Sequence, residues 1–182
     1  VITQTAKLLQ AISPKLATLF AAKLFATPLK HNIPKRELDM EKNSKQSKLF
    51  VPKINKTIVV YQYGESSRKT LMVHGWSGRG TQLFKIADEL LLNGFSTISF
   101  DAPAHGKSGS KTTLMPEFIA SIFEIEKKFG PFEYAIGHSL GGMSILNAIK
   151  QGLHLKKAAI IGSGDIIQDI IDDFILKMKL KP

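Results

Sequence analysis

The sequence predicts an α/β protein: a mostly parallel sheet with helices on both faces, preceded by a helical extension. Three observations carry that prediction. From residue 70 onward, short apolar runs alternate with stretches of helical periodicity, the pattern of strands joined by crossover helices. Apolar runs open directly into glycine-containing loops at residues 74–80, 101–108 and 137–142, and in a parallel sheet such loops gather at the carboxyl ends of the strands. The chain of 182 residues is 43% hydrophobic and 22% charged, which is ordinary globular composition with enough length to bury a core.

Residues 1–26 read as helical, with Ser13-Pro14 as an N-cap and first-turn proline. Leu9, Ile12, Leu16, Leu19 or Phe20, and Leu24 form an apolar stripe, with Lys7, Lys15 and Lys23 interspersed. The longest apolar run there is too short to span a membrane. No charged start, hydrophobic block and cleavage site mark a signal peptide. The expected role is packing on its own domain or on a partner subunit; the alternative is a basic amphipathic helix lying on a membrane surface. Residues 31–48, with Pro34, scattered lysines and few apolar groups, read as a linker. Residues 49–51 and 57–63 read as a hairpin around Pro52-Lys53-Ile54-Asn55, and Gly64-Glu65-Ser66-Ser67 as a turn.

The repeating pattern starts with a strand at 70–73 and a helix over 81–92, closed by Asn93-Gly94. A buried strand follows at 95–100, then a helix over 116–129 with Phe118, Ile122, Ile125 and Phe129 on one stripe. Tyr134-Ala135-Ile136 is a short strand. Leu140, Met143, Leu146 and Ile149 then recur at helical spacing and are expected to face the core, with Gly152 ending the helix. Residues 158–161 form the last strand. Residues 166–178 carry Ile167, Ile170, Ile171, Phe174, Ile175 and Met178 as an amphipathic helix. The expected division is 1–47 as basic helical extension and linker, 48–164 as core, and 165–182 as an amphipathic helix.

The net charge of +10 is unevenly placed: residues 1–57 carry +8 and residues 58–182 carry +2. An anionic partner is one reading of that segment; a solvated lysine-rich extension is the reading adopted. Arg36 is the only arginine among its eleven cations, and nothing there interleaves aromatics with arginines, so nucleic acid is not expected as a partner. The chain has no cysteine, which excludes a disulfide framework and thiolate chemistry and suits a reducing compartment, so a cytoplasmic location is expected. Val1 is the first residue, and the chain is expected to begin inside a longer reading frame.

The chemistry concentrates in F-E-Y-A-I-G-H-S-L-G-G-M at 132–143. Ser139 is wedged between a strand and a helix, with Gly137 and Gly141 two residues to either side, the spacing of a nucleophile elbow. A side chain at either glycine is expected to collide with the neighbouring strand or helix. The competing reading is an ordinary helix start with a serine N-cap. Acyl transfer needs a nucleophile, oxyanion donors, a base and a group that orients the base. Ser139 is the candidate nucleophile. The backbone N–H groups of Leu140 and Trp76 are the candidate oxyanion donors, the first at a helix start where negative charge is favoured. No cofactor and no metal are expected.

His74-Gly75-Trp76, D-A-P-A-H-G-K-S at 101–108 and G-H-S-L-G-G at 137–142 resemble, in order and spacing, the α/β-hydrolase superfamily over about residues 48–164. The resemblance implies an eight-stranded, mostly parallel sheet and a Ser–acid–His triad in that chain order. It implies a serine hydrolase acting on small carboxylic esters or related acyl compounds through a Ser139 acyl-enzyme, with Trp76 and Leu140 as the oxyanion hole. It also implies that His74, Gly75, Asp101 and His105 are structural members of the loops that border the pocket.

The chain departs from the family after the serine. Relatives carry the acid after the seventh strand and the base after the eighth; here one strand follows the Ser139 helix. The histidines are His31, His74, His105, His138 and His154, and none stands at the base position. The sheet is therefore expected to stop after about the sixth strand, the acid and base to lie downstream, and this chain alone to be inactive. Asp165 reads as an acid or as a helix start, and the helix after it as the start of a cap or as a sheet-packing helix. The strand at 158–161 is expected to be an unpaired apolar edge. The rival from another class is a non-catalytic α/β-hydrolase-like binding or scaffold protein. Gly106-Lys107-Ser108 ends like a Walker A motif, but Asp101 stands where its first glycine belongs. Gly162-Ser163-Gly164 lacks the third glycine of a dinucleotide loop, because Ile167 stands there. A haloalkane-dehalogenase-like reaction would need aspartate at 139.

Overall fold

The computed structural model describes residues 1–164 and 167–178. Its strands are β1 Lys45–Val51, β2 Lys56–Tyr63, β3 Lys69–Val73, β4 Ser96–Asp101, β5 Tyr134–His138 and β6 Lys157–Ile161. They form one six-stranded sheet in the order β1-β2-β4-β3-β5-β6. The β1–β2 and β2–β4 pairs are antiparallel, and β4, β3, β5 and β6 run parallel. The expected hairpin joins β1 to β2, and Asn55 turns it at φ 51° and ψ 44°, a left-handed conformation that asparagine tolerates.

Helices α4 Phe84–Leu92, α5 Met115–Phe129 and α6 Leu140–Lys150 connect the parallel strands. Alternation along each strand decides what lies on each face. Leu71 and Val73 of β3 enter the main core with Phe118, Ile122 and Ile125 of α5 and Ile145 and Ala148 of α6. Met72 points the other way and packs with Met40 and Ala87, joined by Phe84, Ile86 and Leu90. The sheet is thus covered on both faces, with α5 and α6 on one side. On the other lie α4 and α3 Leu38–Asn43. Burying one Leu, Ile or Phe contributes about 1.5–3 kcal/mol, so the main cluster dominates stability.

Several local expectations are overturned. Of the stripe expected on α6, Met143 is buried and Leu140 packs on the core, whereas Leu146 and Ile149 are exposed and Gly141, Ile145 and Ala148 face inward instead. Close approach decides the rotation: a Cβ on Gly141 would overlap the carbonyl oxygens of Val73 and His74, so only the glycine side of α6 can reach β3. At the N-terminus, α1 Ile2–Ile12 and α2 Pro14–Phe25 form on either side of Ser13 and pack on each other. Their buried residues are Ala6 and Ala17, while Ile12, Leu16 and Leu19 face outward. Small residues let the inner side approach closely, and the larger side chains are left on the outside.

The segment 31–48, read as a linker, is structured. It holds a 3-10 turn at Lys35–Glu37, then α3, then the start of β1, and Glu37 and Met40 are buried. The helix expected from 81 begins at Phe84, because Thr81 spends its hydroxyl on Glu37 Oε2 at 2.7 Å instead of capping. The last helix, α7 Ile167–Met178, forms as expected, and Phe174 meets Phe25 of α2 edge-on with ring centroids 5.2 Å apart. Strand β6 is an edge strand, paired with β5 on one side only and largely exposed. Asp165 lies outside the described residues.

Candidate active site

Ser139 sits where β5 ends and α6 begins, at φ 50° and ψ −121°. Such positive φ is costly for a residue with a side chain, about 1–3 kcal/mol. Its backbone is pinned from both directions: its N–H donates to Ile161 O of β6 at 2.9 Å, and its carbonyl accepts from Gly142 N at 2.9 Å and Met143 N at 3.2 Å. The side chain makes no capping hydrogen bond. The flanking glycines behave as the spacing predicts. A Cβ on Gly137 would lie 2.6 Å from Gly142 N, and one on Gly141 would strike β3.

The loop after β3 lies against this turn. A Cβ on Gly75 would be 2.8 Å from His138 Nδ1 and 3.1 Å from Ser139 Cβ. Among the described residues no hydrogen bond uses the N–H of Trp76, whereas Gly75 N–H is taken by Gln82 Oε1 and Ser77 N–H by His105 Nε2. The Leu140 N–H, in the first turn of α6, is likewise not used within the described residues. Ser77, Ala104 and Ser139, one in each of the three loops, are non-glycine residues at positive φ. Strain therefore gathers at the carboxyl ends of β3, β4 and β5.

Internal hydrogen bonds hold the loops. His74 donates from Nδ1 to Gly75 O at 2.7 Å and accepts at Nε2 from Ala102 N at 3.0 Å. His105 donates from Nδ1 to Pro103 O at 3.0 Å and accepts at Nε2 from Ser77 N at 3.0 Å. Asp101 accepts from Gly80 N at 2.7 Å, Lys107 N at 2.7 Å and Tyr61 Oη at 2.9 Å. Ser108 Oγ closes the loop by donating to Asp101 O at 2.6 Å. A Cβ on Gly106, which sits at φ 43°, would run into the Asp101 carboxylate.

Burial, the largest cause, lowers both His74 and His105 to about 4 from the ordinary 6.5. It raises Asp101, against the pull of the Gly80 and Lys107 N–H groups, the Tyr61 hydroxyl and the Arg79 charge. A histidine with a depressed folded-state pKa takes up protons more readily when unfolded. The stability tied to these two rings is therefore present above about pH 6.5 and is lost as pH falls towards 4. Asp101 works in the opposite sense. NMR titration of the two rings should find both neutral at about pH 5.5, with the proton on Nδ1; protonation of either above about pH 6 would contradict the burial argument.

Several supporting residues carry no local sequence signal. Glu37, Arg79, Thr81, Ser77 and Tyr61 join segments distant in the chain. Arg79 Nε lies 3.6 Å from Glu37 Oε2, and both side chains are under a tenth exposed. His31 and His154 are exposed, both ring nitrogens of His74 and His105 are already engaged, and the Nδ1 of His138, the residue before Ser139, is buried without a hydrogen-bond partner among the described residues. No hydrogen bond to Ser139 Oγ is present among the described residues, and none of their acidic or histidine clusters could hold a metal. Two surface cavities, of about 370 Å³ beside Arg36 and Phe84 and about 500 Å³ beside Lys56 and Lys107, do not include Ser139.

The sheet order, the crossovers and the loops at the strand ends define a doubly covered α/β protein. The family model described as the alpha/beta hydrolase fold matches residues 71–172, more than half of the chain, and the chain belongs to that family. A comparison with curated proteins found no match. Solved structures of the same fold include an esterase from Exiguobacterium antarcticum, 20% identical with TM-score 0.59, covering 68% of this chain and 52% of that one. An esterase from Pyrococcus furiosus is 15% identical with TM-score 0.64, covering 84% of this chain and 66% of that one. A bromoperoxidase from Bacillus anthracis is 16% identical with TM-score 0.56, covering 65% of this chain and 45% of that one. The chain spans about half to two thirds of the length of these structures.

Proposed function

We propose that the chain carries the nucleophile and oxyanion-binding part of a serine hydrolase for carboxylic esters or related acyl compounds. The observation that carries this reading is the Ser139 backbone, at φ 50° and ψ −121° with no capping bond from its side chain. An N-cap serine sits in the extended region and bonds back to its helix. Ser139 does neither, so the strain is retained for something other than ending a helix. The esterases among solved structures with this fold favour acyl chemistry.

In this reading Ser139 Oγ attacks the acyl carbon as a base removes its proton. The oxygen of the tetrahedral intermediate accepts from the Trp76 and Leu140 N–H groups, each worth about 3–4 kcal/mol in the transition state. The alcohol leaves with a proton, and water then releases the acid from the acyl-serine. Gly137 and Gly141 allow the turn, and His74, Gly75, Asp101 and His105 hold the adjoining loops. We place the acid and base outside the described residues, because the rings of His74 and His105 are buried, neutral and already bonded, and the Nδ1 of His138 bonds to nothing, Ser139 included, among the described residues. That no hydrogen bond joins Ser139 Oγ to a base among the described residues favours a second reading, a non-catalytic binding or scaffold protein.

Ester turnover separates the two. A protein carrying every residue its reading frame encodes should hydrolyse p-nitrophenyl acetate well above the buffer rate. A folded protein with no turnover of short aryl esters or thioesters would favour the scaffold.

A further inference from the structure

The outer side of the α1–α2 hairpin is both apolar and basic. Leu8 and Ile12 are 63% and 67% exposed, and Leu16 and Leu19 are 46% and 58% exposed. Leu8 and Ile12 are one turn apart on α1, and Leu16 and Leu19 one turn apart on α2, so each pair shares a helix face. Residues 1–36 contain Lys7, Lys15, Lys23, Lys30, Lys35 and Arg36 and no aspartate or glutamate. Lys7, Lys15 and Lys23 are exposed and form no ion pair within the described residues.

We propose that this face docks on an anionic lipid surface. The hairpin is a fixed part of the molecule: Ala26 O accepts from Thr113 N at 2.9 Å, Leu29 N donates to Ser77 Oγ at 2.9 Å, and Phe25 packs on Phe174. Its inward contacts are therefore already made, and the leucines on the far side are not held in reserve for the core. No described helix is long and apolar enough to cross a membrane. Large apolar residues beside unpaired lysines are what an interfacial helix needs: the side chains enter the acyl boundary and the cations meet lipid phosphates. Charge selects among occupants. A second copy would set one uncompensated basic hairpin against another, which repels; an anionic bilayer supplies the missing charge. The proposal depends on α1 and α2 alone and stands whether or not Ser139 is reactive.

Sedimentation of the 182-residue protein with phosphatidylglycerol-containing vesicles tests it, with pure phosphatidylcholine vesicles for comparison. Binding should favour the anionic vesicles by at least about tenfold and weaken as salt is raised. The double variant Leu16→Glu/Leu19→Glu should lose binding, and Lys7→Gln/Lys15→Gln/Lys23→Gln should weaken it about tenfold, both with the melting temperature of the parent. If the glutamates impair folding, the lysine variant alone decides. No binding to anionic vesicles, equal binding to both lipids, or binding unchanged by the lysine variant would overturn the proposal. So would a dimer, seen by ultracentrifugation, that these substitutions dissociate in the absence of vesicle binding.

Discussion

Gly141→Ala is expected to destabilise the fold by about 3 kcal/mol or more, lowering the thermal midpoint by about 6–12 °C for a domain of this size. The added methyl would meet the carbonyl oxygens of Val73 and His74. These are backbone atoms at the end of a central strand and cannot swing aside as a long side chain can. Nor can α6 withdraw freely, since Ile145 and Ala148 on the same face are fully buried. Any withdrawal would also carry the Leu140 N–H away from its place beside the β3 loop. Gly109→Ala is the matched control: a Cβ there meets nothing within 4 Å, so its stability should stay within about 0.5 kcal/mol of the parent. Equal melting of the two variants would mean that α6 does not rest on β3 through its glycines.

Ser139→Ala is expected to have the converse profile. In the protein that turns over esters, kcat/KM should fall by at least about 10³-fold, leaving what the oxyanion donors and binding alone supply. Stability should change by no more than about 0.5 kcal/mol, because the removed hydroxyl makes no capping bond. Loss of activity without loss of fold separates a nucleophile from a structural serine. Retained turnover would remove Ser139 from the mechanism.

How far the fold is legible in the sequence depends on the distance over which each decision is made. Strand and helix periods are local, so β3, α5, β5 and the three loops stand near their expected positions. The rotation of α6 is not local. Periodicity favours the larger Leu146 and Ile149 as its inner face, but the approach to β3 admits only glycine, and Gly141 turns them out. The same contest between size and closeness sets α1 and α2, where Ala6 and Ala17 go inward. Glu37 is illegible for another reason: its partners Thr81 and Arg79 are 44 and 42 residues away in the chain, and nothing next to it announces a buried carboxylate. At the candidate site the glycine spacing that shapes the Ser139 turn is readable: the clash at Gly137 is with Gly142 a few residues off, although the one at Gly141 is with the distant Val73 and His74. The bond from Tyr61 to Asp101 joins the neighbouring strands β2 and β4, 40 residues apart in the chain, and leaves no local trace.

The most direct measurement is covalent. A protein carrying every residue its reading frame encodes is exposed to a fluorophosphonate, and the adduct is located by peptide mass spectrometry. The expected result is one adduct per chain, on the peptide containing Ser139, absent from Ser139→Ala and scarce on the 182-residue chain. The protein carrying every residue its reading frame encodes, folded yet unlabelled or labelled on a different residue, would contradict the assignment of Ser139 as the nucleophile.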